Sequence, residues 1–239
     1  MKQAVQVGFI VWFVLIHPGL FAQTKTVVMG VYDWEPYVSE SQENHGILSE
    51  IIVDALEKVG YGVIAKDYPF ARAMTELKNG SIDILPGVSY NSERSSAIEF
   101  SKSIFDIDMV FVFKKGKINY KTISDLKNHI GGIMAGTFWA QELESEGIKY
   151  ETVATQEQNI KKLVSGRIDF SCMPREVALN LMTRLGENPA QYDFILFKKD
   201  GQPAGISKKT KFVDLLKDFE KGMEIIRKDG TYDKVVSKK

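Results

Sequence analysis

The sequence predicts an α/β protein with two lobes, built from mostly parallel sheets that carry helices on both faces. The first observation is that apolar, strand-like runs alternate with amphipathic helical segments, which is the order of a parallel sheet covered by helices. The second is a Leu-x-x-Gly-x-Ile-Asp pattern that occurs twice, at residues 77–83 and 163–169. Each copy predicts a helix ended by a left-handed glycine and followed by a short buried strand. Two such units indicate two lobes of similar build with a cleft between them.

The elements of the first lobe follow from apolar periodicity and turn residues. Residues 26–32 form a β-rich run that ends at a turn carrying Trp34 and Tyr37. Residues 47–59 have apolar side chains at helical spacing and stop at Gly60. After these we expect a strand at 61–66, a helix from about Tyr68 to about Lys78, the strand of the first repeat, and strand segments at 98–101 and 104–113.

The same alternation starts again after a charged, glycine-containing connector at 114–117, where we place the first crossing between the lobes. The second lobe is predicted to hold a short helix opening at Ser124, strands at 132–134, 150–153 and 168–172, and helices near 138–145, 156–164 and 176–185. A strand at 192–197 makes the return crossing, and residues 213–228 form an amphipathic tail helix. The predicted organisation is a signal peptide at 1–22, the first part of lobe one at 23–113, lobe two at 114–196, and the return to lobe one with C-terminal helices at 197–239.

The N-terminus has the pattern of a secretory signal peptide. Lys2 precedes an apolar run at 7–16, and a His-Pro-Gly break leads to Ala22, after which we predict cleavage. The apolar run is too short to cross a bilayer as a mature anchor, and a membrane-tethered N-terminus is the alternative. We therefore expect the mature protein in the periplasm.

Composition argues against several classes of function. A formal net charge of +0 disfavours nucleic-acid binding, which needs a basic surface. The three histidines (His17, His45 and His129) are scattered, and neither a phosphate-binding loop nor a catalytic serine motif occurs. We therefore expect no metal, no cofactor and no catalytic residue. Cys172 is the only cysteine, so no intrachain disulfide can form.

Two arginines are candidate ligand cations. The first repeat runs into Gly87, Ser89 and Arg94, a turn of small residues followed by a guanidinium, which predicts the anion-holding side of the cleft. A guanidinium matches a carboxylate with two parallel hydrogen bonds. The alternative for Arg94 is a surface ion pair with Glu93 or Glu99. Arg72, after an aromatic turn, is the second candidate, and a role on the helix surface is equally compatible with its position.

Together these segments resemble the extracellular solute-binding proteins of family 3, over nearly the whole mature chain. The resemblance rests on Trp34-x-Pro36-Tyr37, Leu77-x-x-Gly80-x-Ile82-Asp83, Ser92-Glu93-Arg94 followed by Phe100-Ser101, Gly136-Thr137, and Asp229-Gly230-Thr231-Tyr232. It implies the two-lobed type II periplasmic binding fold, which closes at a hinge around a small ligand and presents the closed form to an ABC transporter or a sensor.

The resemblance also implies roles for individual residues. Arg94 matches the arginine that grips the ligand carboxylate, and Gly87 and Ser89 match positions whose backbone and hydroxyl groups assist it. Trp34 matches an aromatic residue that covers the ligand, with core packing as the alternative. Gly136-Thr137 matches the site in lobe two where helix N-terminal amides and a hydroxyl meet the same carboxylate, with a plain N-cap as the alternative.

One position departs from the pattern of the family. Its amino-acid binders place an aspartate after the lobe-two strand to hold the ligand ammonium, and Pro174 stands there in this sequence. Either Glu176 substitutes from the next helix, or the ligand is not an α-amino acid.

We therefore expect a monomeric solute-binding protein, not an enzyme, whose ligand is an amino acid or organic acid. The alternatives are a sensor without a transporter and a periplasmic dehydratase of the prephenate or arogenate type, in which Glu176 would be the catalytic carboxylate. The sequence shows no convergent pair of titratable groups, which favours binding alone.

Overall fold

The computed structural model of the chain describes residues 25–135, 137 and 139–237. The predicted signal peptide at 1–22 and Gly136 lie outside the described residues. The strands are β1 Lys25–Val31, β2 Tyr61–Asp67, β3 Ile84–Leu85, β4 Ile98–Lys114, β5 Ile130–Met134, β6 Lys149–Val153, β7 Phe170–Pro174 and β8 Tyr192–Ser207. The α-helices are α1 Ile47–Glu57, α2 Phe70–Asn79, α3 Ala140–Ser145, α4 Gln156–Val164, α5 Arg175–Arg184, α6 Leu215–Lys228 and α7 Thr231–Val236. Short 3-10 turns lie at Glu43–His45, Arg94–Ser96, Ile123–Leu126 and Pro189–Gln191.

The strands form a sheet in the order β2-β1-β3-β8-β4-β7-β5-β6. The ladders on both flanks are parallel, whereas β8 and β4 in the middle pair in antiparallel fashion with each other and with their neighbours. This confirms the predicted α/β class. We call the side of β1, β2 and β3 the first lobe, and the side of β5, β6 and β7 the second lobe.

The strand directions place a cleft between the lobes. Because β3 and β4 are both antiparallel to β8, they run the same way, while β7 runs opposite to β4. Leu85 at the end of β3 pairs with Gly205, which pairs with Phe100 of β4. Pro174 at the end of β7 pairs with Met109 of β4. The carboxyl ends of the two lobes therefore face each other across residues 101–108, and such ends are where open α/β sheets bind ligands.

The lobes are joined by β4 and β8, which pair from Ile98 with Ser207 to Lys114 with Tyr192. Met109–Phe113 already pairs with β7, so β4 has reached the second lobe before the connector at 114–117. That connector forms the turn at the end of the strand, where Lys117 N donates to Lys114 O at 3.1 Å. The strand continues because its second half is apolar and buried. The exact lobe limits at 113 and 196 stay predictions.

The repeated pattern has the predicted local structure. Gly80 caps α2 with φ +86°, and Gly166 follows α4 with φ +72°, both in the left-handed region that favours glycine. Each is followed by a strand, β3 or β7, in the interior of the sheet. Within the described ranges, no helix is long and apolar enough to cross a membrane.

Candidate ligand-binding site

An aromatic turn follows β1 at the carboxyl edge of the first lobe. Trp34 N donates to Val38 O at 2.7 Å and Val38 N donates back to Trp34 O at 3.1 Å, so the turn is closed by its own backbone. The Trp34 ring stacks with that of Tyr32, with centroids 6.4 Å apart, and packs at 4.9 Å against Tyr37. Trp34 stays half-buried, whereas Tyr37 is fully buried. Trp34 is thus fixed in place and remains partly exposed.

Gly87 lies directly against this turn. Its φ is +65°, and a Cβ there would lie 2.8 Å from Trp34 Cζ3 and 3.0 Å from the Tyr32 hydroxyl oxygen. Tyr32 in turn donates its hydroxyl to Pro86 O at 3.0 Å. Both the backbone conformation and the lack of space require glycine, which brings the segment after β3 into contact with the segment after β1.

Arg94 is oriented by the same segment. Its Nη1 donates to Ser89 O at 2.9 Å, and its backbone N donates to Asn91 Oδ1 at 2.7 Å. The side chain is half-buried and close to Tyr32: burial raises the pKa of the Tyr32 hydroxyl, and the Arg94 charge partly opposes that rise. Among the described residues Arg94 has no carboxylate partner. The surface ion pair suggested as an alternative is not formed, since Glu93 pairs with Lys78 at 3.4 Å.

Arg72 lies elsewhere. Its side chain is 66% exposed, and its Nε is 3.2 Å from Glu76 Oε1, one turn along α2. Its guanidinium also packs on the Tyr68 ring at 5.9 Å. These contacts match the helix-surface alternative, because they satisfy the charge within α2 and its N-terminal turn.

In the second lobe, Thr137 follows β5. Its Oγ1 donates to Met134 O at 2.8 Å, and its backbone carbonyl accepts a long 3.4 Å bond from Ala140 N. The N-cap of α3 is Trp139, so Thr137 does not cap that helix with its side chain. Its half-buried hydroxyl keeps its lone pairs as acceptors at the carboxyl end of β5.

Glu176 belongs to the first turn of α5, which Pro174 opens as N-cap. Burial is the main cause that raises the pKa of the Tyr37 hydroxyl, and the carboxylates of Glu176 and Asp108 raise it further. Tyr37 of the first lobe and Glu176 of the second are therefore close enough to interact electrostatically. The Tyr37 hydroxyl is buried and has no hydrogen-bond partner in the part of the chain that the structure describes.

Neither Tyr37 nor Asp108 is among the residues predicted for the site. Asp108 lies next to Met109, which pairs with Pro174. The register between β4 and β7, which the sequence alone does not reveal, is what brings Asp108 near α5. The candidate residues thus supply a cation and an aromatic ring on the first lobe, and carboxylates on β4 and on the second lobe. Such a site suits a small molecule that carries charges of both signs.

Comparisons with known proteins identify the family of the chain. The model of the bacterial extracellular solute-binding proteins of family 3 matches residues 27–238. The chain is 26% identical over 200 residues to the probable amino-acid-binding protein YxeM of Bacillus subtilis, covering 79% of this chain and 73% of that protein. It is 28% identical over 181 residues to the lysine/arginine/ornithine-binding periplasmic protein of Escherichia coli, covering 71% and 68%.

Among solved structures, an ancestral arginine-binding protein bound to arginine superimposes with a TM-score of 0.69 at 25% identity. The match covers 89% of this chain and 97% of that one. The chain therefore belongs to the bacterial extracellular solute-binding proteins of family 3.

Proposed function

We propose that this protein captures an amino acid, or an organic acid of similar size, between its two lobes. The observation that carries the proposal is the state of Arg94. Its guanidinium is half-buried, is oriented by Ser89 O, and has no carboxylate partner among the described residues. A cation held in this way in the segment after β3 favours an anion, and a carboxylate is the planar group that its fork fits best.

The neighbouring groups suit the rest of such a ligand. Trp34 supplies an aromatic wall beside Gly87, where the missing side chain lets the backbone approach closely. Thr137 offers a hydroxyl from the second lobe. The relatives whose names include a ligand are amino-acid binders, which supports an amino acid here.

The ligand ammonium needs a partner, because an unpaired buried charge costs several kcal/mol. Pro174, the last residue of β7, offers only a carbonyl. Glu176 lies two residues further, in the first turn of α5, and its charge adds to the effect of burial in raising the pKa of Tyr37. We assign the ammonium to Glu176, with a plain carboxylate ligand as the alternative.

Membership of the family supports a proposal for the biological role. We propose that the mature protein is a monomer in the periplasm, secreted through residues 1–22, and that its closed form is presented to a membrane transporter or a sensor. In this proposal the ligand is bound and released unchanged. Incubating the protein with its ligand and analysing the mixture by NMR should therefore show no product, whereas turnover would favour the dehydratase alternative.

A thermal-shift screen tests the proposal. The panel holds the common amino acids, and for each hit the analogue without the ammonium and the analogue without the carboxylate. A ligand at about one hundred times its Kd stabilises the native state by about 2.7 kcal/mol. For a chain of this size that raises the Tm by roughly 5–10 °C. The proposal predicts a shift that is lost when the carboxylate is removed. No shift with any carboxylate, or an equal shift with the amine analogue, would contradict it.

A further inference from the structure

An ion pair connects the two lobes at the mouth of the cleft. Arg184, the last residue of α5 in the second lobe, places Nη1 3.8 Å from Glu35 Oε2 in the first lobe. Its Nη2 lies 3.6 Å from Glu157 Oε2 on α4, within its own lobe. Arg184 is thus held by its own lobe on one side and reaches the opposite lobe with the other nitrogen.

The surface that receives Arg184 is acidic. A groove of about 500 Å³ is lined by Arg184 and by first-lobe residues that are all acids or serines: Asp33, Glu35, Ser39, Glu40, Ser41 and Asp67. Asp33 follows β1 and Asp67 ends β2, so the groove opens at the carboxyl edge of the first lobe. Arg184 is the one cation among these lining residues. The charge of the second lobe is therefore complementary to the groove that it enters.

Glu35 is oriented by its own lobe and does not depend on Arg184 for its position. Its Oε1 accepts a hydrogen bond from Ser41 Oγ, and Ser41 is tied to Ser39 through two contacts of 3.0 and 3.3 Å. Glu35 is 22% exposed, whereas Arg184 is 57% exposed. A partner held in advance reduces the side-chain entropy lost when the pair forms.

We infer that Glu35 and Arg184 form a latch that stabilises the closed arrangement of the lobes. Glu35 follows Trp34 directly, so the latch lies beside the aromatic wall of the candidate site. The part of this inference that concerns ligand affinity rests on the proposed function. Because one partner is largely exposed, the effect is modest: exposed pairs contribute about 0.2–1 kcal/mol, which is roughly a 1.4- to 5-fold change in an equilibrium constant.

A double-mutant cycle with Glu35→Gln and Arg184→Gln tests the latch. Spin labels on Lys66→Cys and Lys149→Cys, exposed positions on the two edge strands β2 and β6, report the distance between lobes without any ligand. Cys172 is buried, so it should not take up the label. Each single variant should lower the closed-to-open ratio by about 1.4- to 5-fold, and the double variant should add nothing further. The effect should disappear in 1 M salt, where an exposed pair is screened.

Glu157→Gln is the matched control, because it removes an Arg184 partner that does not cross the cleft. Three results would overturn the latch. The closed-to-open ratio could fall additively in the double variant, it could stay unchanged in both single variants, or Glu157→Gln alone could lower it by the full amount. The distance measurement separates this result from the proposed function. If no amino acid binds while the cycle behaves as expected, the latch stands and the ligand assignment fails. If an amino acid binds and its Kd is equal in all variants at low salt, the predicted link to affinity is wrong.

Discussion

Asp83 and Val28 bond to each other twice: Asp83 Oδ2 accepts from Val28 N at 2.8 Å, and Asp83 N donates to Val28 O at 2.9 Å. The second lobe repeats the arrangement. Asp169 Oδ2 accepts from Ile130 N, and Asp169 N donates to Ile130 O, both at 2.8 Å. The aspartate of the repeated sequence pattern thus ties the start of its own strand to the neighbouring strand in each lobe. The repeated sequence pattern therefore corresponds to the same pair of hydrogen bonds between strands in both lobes.

The two aspartates should differ in their contribution to stability. Asp83 is 6% exposed and also accepts from Thr210 Oγ1 at 2.6 Å, whereas the Asp169 side chain is 47% exposed. Asp83→Ala should cost about 2–3 kcal/mol in the free energy of unfolding, since it leaves buried donors unpaired. Asp169→Ala should cost about 1 kcal/mol, because water can replace the carboxylate. Urea unfolding of both variants measures this, and equal losses would contradict the reasoning.

Gly87→Ala should damage both stability and binding. The left-handed φ alone costs about 1–3 kcal/mol for a residue with a side chain, and the new Cβ would press on Trp34. Gly166→Ala is the control, because its φ of +72° is similar and a Cβ there meets nothing within 4 Å. Both variants should lose stability in urea unfolding, but only Gly87→Ala should lose ligand in calorimetry. Equal binding by the two variants would remove Gly87 from the site.

Tyr37→Phe should leave stability unchanged or raise it by about 1 kcal/mol. It removes a buried hydroxyl that has no partner among the described residues and keeps the packed ring. Tyr192→Phe is the contrast, since the Tyr192 hydroxyl donates to Glu187 Oε2 at 3.2 Å. Burial and that glutamate raise the pKa of Tyr192 to about 12. Thermal unfolding should show a loss of about 1 kcal/mol for Tyr192→Phe only. A similar loss in Tyr37→Phe would mean that its hydroxyl has a partner.

Asp229 should contribute stability that depends on pH. Hydrogen bonds from Lys58, at 2.7 Å, and from Thr231 hold the pKa of its carboxyl well below the usual range. A group with a lowered folded pKa stabilises the protein above its unfolded pKa of about 3.9, and this is lost as the pH falls toward the folded value. Asp229→Asn should thus have a lower free energy of unfolding than wild type at pH 7. This difference between the two proteins should disappear as the pH falls below 4. Glu224→Gln, at an exposed position on α6, is the control. A difference that is constant from pH 7 to pH 2 would contradict this role.

Much of the fold could be predicted from local sequence because its signals are local. Helix ends at Gly80 and Gly166 follow from the left-handed conformation, and the helices and strands follow from apolar periodicity. The crossing within β4 was harder to place, because a charged connector marks the end of a strand as readily as the boundary of a lobe.

The site could be predicted only where one segment carries it. Gly87, Ser89 and Arg94 lie within eight residues, and Arg94 bonds back to Ser89 O. Contacts across the lobes depend on sheet register and on lobe closure, which local patterns do not encode. The proximity of Tyr37 to Glu176 and the ion pair between Glu35 and Arg184 were therefore missed. Arg72 was a candidate ligand cation because it follows an aromatic turn. Glu76, four residues later on the same helix, instead indicates an ion pair on the surface of α2.

The most direct test of the proposed function is calorimetry on Arg94→Ala with the amino acid that gives the largest thermal shift. Truncating one partner of a buried charge pair costs about 2–5 kcal/mol, so affinity should fall by at least about thirtyfold while the protein remains folded. Arg94→Lys should also bind more weakly, because an ammonium cannot reproduce the guanidinium fork. Arg72→Ala, which removes a cation on the surface of α2, should bind like wild type. Unchanged affinity in folded Arg94→Ala would contradict the assignment of the ligand carboxylate to Arg94.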